Sequence, residues 1–196
     1  MPMTFKVSQQ VVYPTHGVGT VTKIQKRDFN GHAVPYYTIH IETNDMTIMI
    51  PVDRAEDRGI RAIVSQKEAM SALDLMEGEA ETIPSDWKMR YEQNRQHLLK
   101  GDVKDIARVV QTLYYRSKIK ELPILERKLY DSAIKLLVDE VSISLKKTPI
   151  EVEELIFERL ESEKHVVPPE TEKVVPEVDD FDAGVDEDDL EINKEV

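Results

Sequence analysis

The chain has 196 residues, 40% of them apolar and 33% charged, with a mean hydropathy of -0.43 and no cysteine. That size allows one large domain or two small ones, and the composition excludes a bilayer-spanning segment, a disulfide framework, a thiolate nucleophile and a thiolate zinc site. The net charge of -12 is spread unevenly, with 8 basic against 11 acidic residues in 1–83, 14 against 9 in 84–147, and 4 against 18 in 151–196.

Local field rather than total charge governs binding, so the basic middle third keeps nucleic acid among the possible partners. The N-terminal MPMTFKVSQQ has neither the cationic start nor the apolar run of an export signal, and a cytosolic protein is expected.

Residues 6–51 read as short strands. VVYPTHGVGTVTKIQ sets Gly17 and Gly19 beside a β-rich run, Asn30-Gly31 is a hairpin signal, and YYTIHIE and MTIMIP follow, with Asn44-Asp45 between them. The pattern predicts a small, strongly bent antiparallel sheet or SH3-like barrel whose edges are open to partners. His16-Gly17-x-Gly19 lacks the spacing of a phosphate loop, and the glycines are read as permitting a tight bend. His16, His32 and His40 have no partner at metal-ligand spacing.

Ser65 caps a predicted helix ending near Gly78, with Ala69, Leu73 and Met76 on one stripe. A polar connection then runs to Pro84, where the domain boundary is placed, so that 65–83 is a helix and linker between domains 1–64 and 84–162. Four helices are predicted in 84–162. The first is capped by Ser85 or Asp86, and Gly101-Asp102 starts the second, which carries Val103, Ile106, Val110 and Leu113. The third follows Leu122-Pro123 with Leu125, Leu129, Ala133, Leu136, Val141 and Leu145, and Thr148-Pro149 opens the last. Short links make this a compact bundle. From 163 onward Pro, Asp and Glu dominate without periodicity, which predicts a disordered acidic tail; its aspartates lack the order of a calcium loop.

No constellation of nucleophile, acid and metal ligands emerges, so a non-enzymatic binding protein without cofactor or metal is expected. The informative stretch is PSDWKMRYEQNRQHLLKG. It holds the single tryptophan, Trp87, at a helix start, followed by Lys88, Arg90 and Arg95. Arg127 and Lys128 would join the same face if the two helix starts lie together. Cations meet phosphates and a flat apolar ring stacks on or wedges between bases, whereas a tryptophan in the core would serve only stability. Both readings are open at this point, the second corresponding to a protein-only adaptor.

The strings FKVSQQVVYPTHGVGTV, DMTIMIPVDRAEDRGIR, DWKMRYEQNRQHLLKGDVKDIARVV and LPILERKLYDSAIKLLVDEV resemble, in order and spacing, the CarD/CdnL family of bacterial transcription regulators. The resemblance spans roughly residues 4–160. It implies an α+β protein: a Tudor-like domain that binds the RNA polymerase β subunit, then a helical domain that contacts promoter DNA largely independently of sequence. It further implies that Trp87 is a minor-groove wedge that stabilises the open complex, and the cations grouped beside it, Lys88, Arg90, Arg95, Arg127 and Lys128, are then expected as DNA contacts. Arg27, Thr47, Met49 and Pro51 are implied as polymerase contacts, and a monomer is expected. Relatives often read Trp-x-Arg-Arg-Tyr, whereas here Met89 replaces one cation, and Glu92 stands where some relatives carry another.

Overall fold

In the computed structural model, which describes residues 5–14, 16–29, 32–78, 84 and 86–162, the N-terminal alternation folds into one antiparallel sheet. Its strands are β1 (Gln10–Tyr13), β2 (Gly17–Phe29), β3 (His32–Ile41), β4 (Met46–Pro51) and β5 (Arg61–Ala62), in the order β4-β3-β2-β1-β5. The two central strands, of 13 and 10 residues, are longer than the sequence suggests, and the register shift between Val21 and Lys23 interrupts the β2–β3 ladder. Phe29 pairs with His32, so the connection is residues 30 and 31; the Asn30-Gly31 turn itself lies outside the described residues, as does the acidic tail.

Alternation decides the inner face. Val21, Tyr37, Ile39, Ile41 and Ile50 are buried there with Phe5 and Ile60, and the Tyr37 hydroxyl accepts the Phe5 backbone N–H at 2.9 Å. The bend assigned to the glycines is real: Gly17 has φ 99, and a Cβ on Gly19 would stand 2.7 Å from Ile39 Cγ2.

Five helices follow: α1 (Gln66–Leu75), α2 (Trp87–Lys100), α3 (Val103–Ile119), α4 (Ile124–Leu145) and α5 (Pro149–Leu160). Ser65 with Glu68 and Thr148 with Glu151 form reciprocal capping boxes, while Asp102 accepts the N–H groups of Lys104 and Asp105. One core joins Ile106, Val110 and Leu113 of α3, Leu129, Ala133 and Val141 of α4, and Ile156 of α5.

The boundary expected at Pro84 needs correction. Ala69, Leu73 and Met76 are buried in the helical core, so α1 is part of the bundle rather than a link to it. The physical reason is that an apolar stripe must be covered, and α3, α4 and α5 cover it. Arg159 of α5 adds ion pairs to Asp74, at 3.6 Å, and to Glu77.

Leu136 of the expected stripe packs on the helical core and also reaches the sheet. It is partly buried, and a Cβ on Gly17 would lie 3.5 Å from its Cδ2. The main clasp between sheet and bundle is Arg61 of β5. Its guanidinium forks onto Glu140 of α4, with Nη2 to Oε2 at 2.8 Å, and its Nε donates to the Gly101 carbonyl at 2.9 Å. Glu140 is 1% exposed and also accepts the Val64 N–H at 3.2 Å. Pro14 fills the space beside Gly59 and Gly101, both at positive φ, where a Cβ would approach it to 2.9 and 2.8 Å. Among the described residues no helix is long and apolar enough to cross a membrane.

Asp139, next to this clasp, receives the Thr43 hydroxyl at 3.4 Å, and burial pushes its carboxyl above the usual range. A raised folded value means that ionisation opposes folding, so this part of the stability is lost as pH rises through the folded value. Asp139→Asn should therefore raise the melting temperature at neutral pH, with the gain fading below the usual carboxylate range; thermal unfolding across pH measures it.

Candidate nucleic-acid interface

The starts of α2 and α4 do lie together, and the side chain that joins them is one expected on the surface. Arg90 Nε donates to Glu126 Oε1 at 2.7 Å and Nη2 to Oε2 at 2.9 Å, while Nη1 reaches the Pro84 carbonyl at 2.8 Å. Arg90 is 2% exposed and Glu126 0%. The planar guanidinium matches the carboxylate fork, and out of water such a pair holds only if both partners are present.

Arg90 is thus corrected from a DNA contact to a buried strut between two helices. The signal was available in part: Arg90, Asn94 and Leu98 recur every four residues on α2, and all three are buried. A cation on an apolar stripe reads as surface unless its partner is known, and Glu126 lies 36 positions away.

Around this strut stand the other predicted residues. Trp87, the first residue of α2, is half-buried, and among the described residues it is not one of the apolar side chains packed on the helical core. Lys88 is exposed, with Nζ 5.8 Å from the Trp87 ring centroid, within cation–π range. Met89 is 59% exposed and Ile124, the first residue of α4, 63%. Arg127 and Lys128 are exposed within the first two turns of α4. Two of the cations have carboxylate neighbours: Arg95 with Glu92 at 3.6 Å and Arg127 with Glu121 at 3.4 Å.

The helix ends complete the electrostatics. At α2, Asp86 caps by accepting the Lys88 N–H at 2.8 Å, whereas α4 begins after Pro123 with no side-chain cap. The first-turn N–H groups of α4 are therefore better placed for an outside anion than those of α2. The last turns of α3 and α5 belong to the same end of the bundle. Tyr115 donates to the Leu160 carbonyl and Tyr114 to Glu161, both at 2.8 Å, and Lys118 lies 3.9 Å from Glu161.

The four residues implied as polymerase contacts fall on one face of the sheet. Thr47, Met49 and Pro51 pair with His40, Thr38 and Tyr36 of β3, and Arg27 of β2 pairs with Val34, so alternation turns all of them away from the buried Ile39 and Ile50. The strand β4 is the sheet's edge and pairs, among the described residues, only with β3. That leaves its outer backbone groups for strand addition.

Residues 5–64 match the CarD-like/TRCF RID domain family, and residues 71–157 match the CarD C-terminal domain family, in that order. The chain belongs to the CarD/CdnL family. It is therefore a transcription-associated regulator with an RNA-polymerase-interacting N-terminal domain. It is 29% identical over 140 residues to a Bacillus subtilis (strain 168) protein entitled "Putative transcription factor YdeB", covering 71% of this chain and 91% of that one. It is also similar to the solution NMR structure of the 72-residue N-terminal domain of Myxococcus xanthus CarD, at 27% identity over 32% of this chain and 89% of that one, with a TM-score of 0.27. The C-terminal family match begins inside α1, in keeping with the packing of that helix on the bundle.

The buried strut and its exposed neighbour should respond differently to truncation. Arg90→Ala strands the Glu126 carboxylate and is expected to cost about 3–5 kcal/mol, whereas Lys88→Ala should stay within about 0.5 kcal/mol of the parent. Denaturant unfolding of both variants checks the contrast.

Proposed function

We propose that the outer edge of β4, with Arg27, Thr47, Met49 and Pro51, binds the polymerase β subunit, and that the paired starts of α2 and α4 meet promoter DNA at the edge of the melted region. The observation that carries the reading is the grouping of Trp87, Met89 and Ile124 with Lys88, Arg127 and Lys128 beside an uncapped helix start. Cations and N–H groups suit phosphates, and the apolar side chains suit a base step opened from the minor groove. Since Met89 takes the exposed place and Arg90 the buried one, the surface has lost a cation relative to the family pattern and gained an apolar group.

The clasp supports a mechanism in which the two ends act as one piece. Gly101, at the far end of α2, accepts from Arg61 of the sheet. The helix spans 14 residues, so Trp87 stands about 20 Å from that joint at 1.5 Å per residue. Docking of the sheet on polymerase then fixes where the wedge falls. A contact made only with opened DNA shifts the closed-to-open equilibrium, and stacking worth about 1–3 kcal/mol changes the open population several-fold or more.

Trp87→Ala should shorten open-complex lifetime in a promoter-opening assay. It should also cost less than the roughly 3–5 kcal/mol typical of a fully buried aromatic, since this ring is half-buried. A folded variant that prolongs the lifetime as well as the parent would remove the wedge from the mechanism. Met49→Ala and Pro51→Ala should weaken capture of the isolated β-subunit lobe without lowering the melting temperature much, and undiminished capture by both would rule out this edge.

A further inference from the structure

The last described residue, Ser162, stands at the end of the bundle that carries Trp87, and the acidic residues 163–196 follow it in the sequence. It comes one residue after Glu161, whose carboxylate accepts from Tyr114 and lies 3.9 Å from Lys118 Nζ. Lys118 lies in the last turn of α3 and Lys120 caps it, and four residues after Lys120 comes Ile124, the start of α4, with Arg127 and Lys128 in its first two turns. The Arg90–Glu126 pair then brings in the start of α2 with Trp87 and Lys88. The ends of α3 and α5 and the starts of α2 and α4 thus form one surface, and Ser162 stands on its rim.

We propose that the acidic segment 163–196 docks in cis on this surface and competes there with DNA. Charge favours the pairing. The segment holds 13 acidic and 3 basic residues, with Asp179, Asp180 and Asp182 flanking Phe181 and Asp186 to Asp189 preceding Leu190. Runs of carboxylates with interspersed apolar groups present to Lys118, Lys128, Lys88 and the exposed Met89 and Ile124 the same two features that DNA presents, closely spaced anionic oxygens and apolar ring surface. Length suffices. Thirty-four residues follow Ser162, and at about 3.3 Å per extended residue they reach several times the roughly 20 Å length of α2.

Tethering makes even weak pairing effective, because a linked segment acts at roughly millimolar local concentration. The Lys118–Glu161 pair is a first contact of this kind, already made by the last turn. The consequence is selectivity. Loose duplex meets an occupied surface, whereas DNA held in place by a polymerase-docked protein is itself at high local concentration and displaces the segment. The competition rests on the DNA-contact reading above; the docking does not.

Two measurements on the full chain separate these claims. Carbodiimide coupling of the monomer at low salt, followed by peptide mapping, should join carboxylates of 170–195 to Lys88, Lys120 or Lys128 in preference to Lys6, Lys23 or Lys67, and the products should vanish at high salt. Equal coupling to the sheet-side lysines, or products only between two chains, would overturn the docking. The second measurement compares the affinity of a short duplex for the parent and for a full-length variant carrying D179N, D180N, D182N, D186N, E187Q, D188N and D189N. The variant should bind about three- to tenfold more tightly at low salt, the gain disappearing as salt screens both forms. Equal affinity of the two proteins overturns the competition. Tip-directed coupling with no duplex binding by either protein supports the docking and removes the DNA contact instead.

Discussion

Two glutamates buried on α4 hold the molecule in its shape. Glu126, in the first turn, receives the Arg90 fork and fixes the start of α2; Glu140, fourteen residues on, receives the Arg61 fork and fixes the sheet. Fourteen residues are close to four helical turns, so both carboxylates project from nearly the same side of α4, about 21 Å apart along its axis. Each is almost wholly out of water, and each also has its arginine engaged by a backbone carbonyl, Pro84 for Arg90 and Gly101 for Arg61. Such pairs contribute less to net stability than to definition of geometry, because either partner left alone inside is costly. The helix α4 is in effect a strut with a carboxylate clasp at each end, one toward the sheet and the other toward the exposed tip.

That arrangement explains why the tip has so few surface cations for a surface proposed to meet DNA. Its best-placed arginine is used inside, and two of the remaining cations, Arg95 and Arg127, share their charge with Glu92 and Glu121. What remains outward is a mixture: Lys88, Lys118, Lys120 and Lys128 for phosphate, Met89, Ile124 and the exposed part of Trp87 for apolar contact, and the uncapped N–H groups of α4. A surface of that kind gains from opened or distorted DNA, where apolar base faces are offered, more than from smooth duplex, where only charge counts.

The sheet applies simpler rules to the other interface. Period-two alternation sends Ile39, Ile41 and Ile50 inward and Thr47, Met49 and Pro51 outward, while strand order leaves β4 at the rim. The inward set is already satisfied by Phe5 and Ile60, and the outward set has the backbone edge beside it. The close crossing at Gly19, with Ile39 beneath, lets the strands curve over their own small core.

Much of this was legible in the sequence because it is local. Capping residues Ser65, Asp102 and Thr148, the helix stop at Gly101 and the turn at Gly17 depend on neighbours within four positions, and each falls where its side chain or φ demands. The family likewise follows from strings of residues in order. The placing of α1 in the bundle and the burial of Arg90 did not follow, because each depends on a surface brought from far along the chain. A cation's role is set by whether a carboxylate meets it away from water. For Arg90 that carboxylate is 36 residues distant and for Arg61 it is 79, separations at which only the tertiary fold decides.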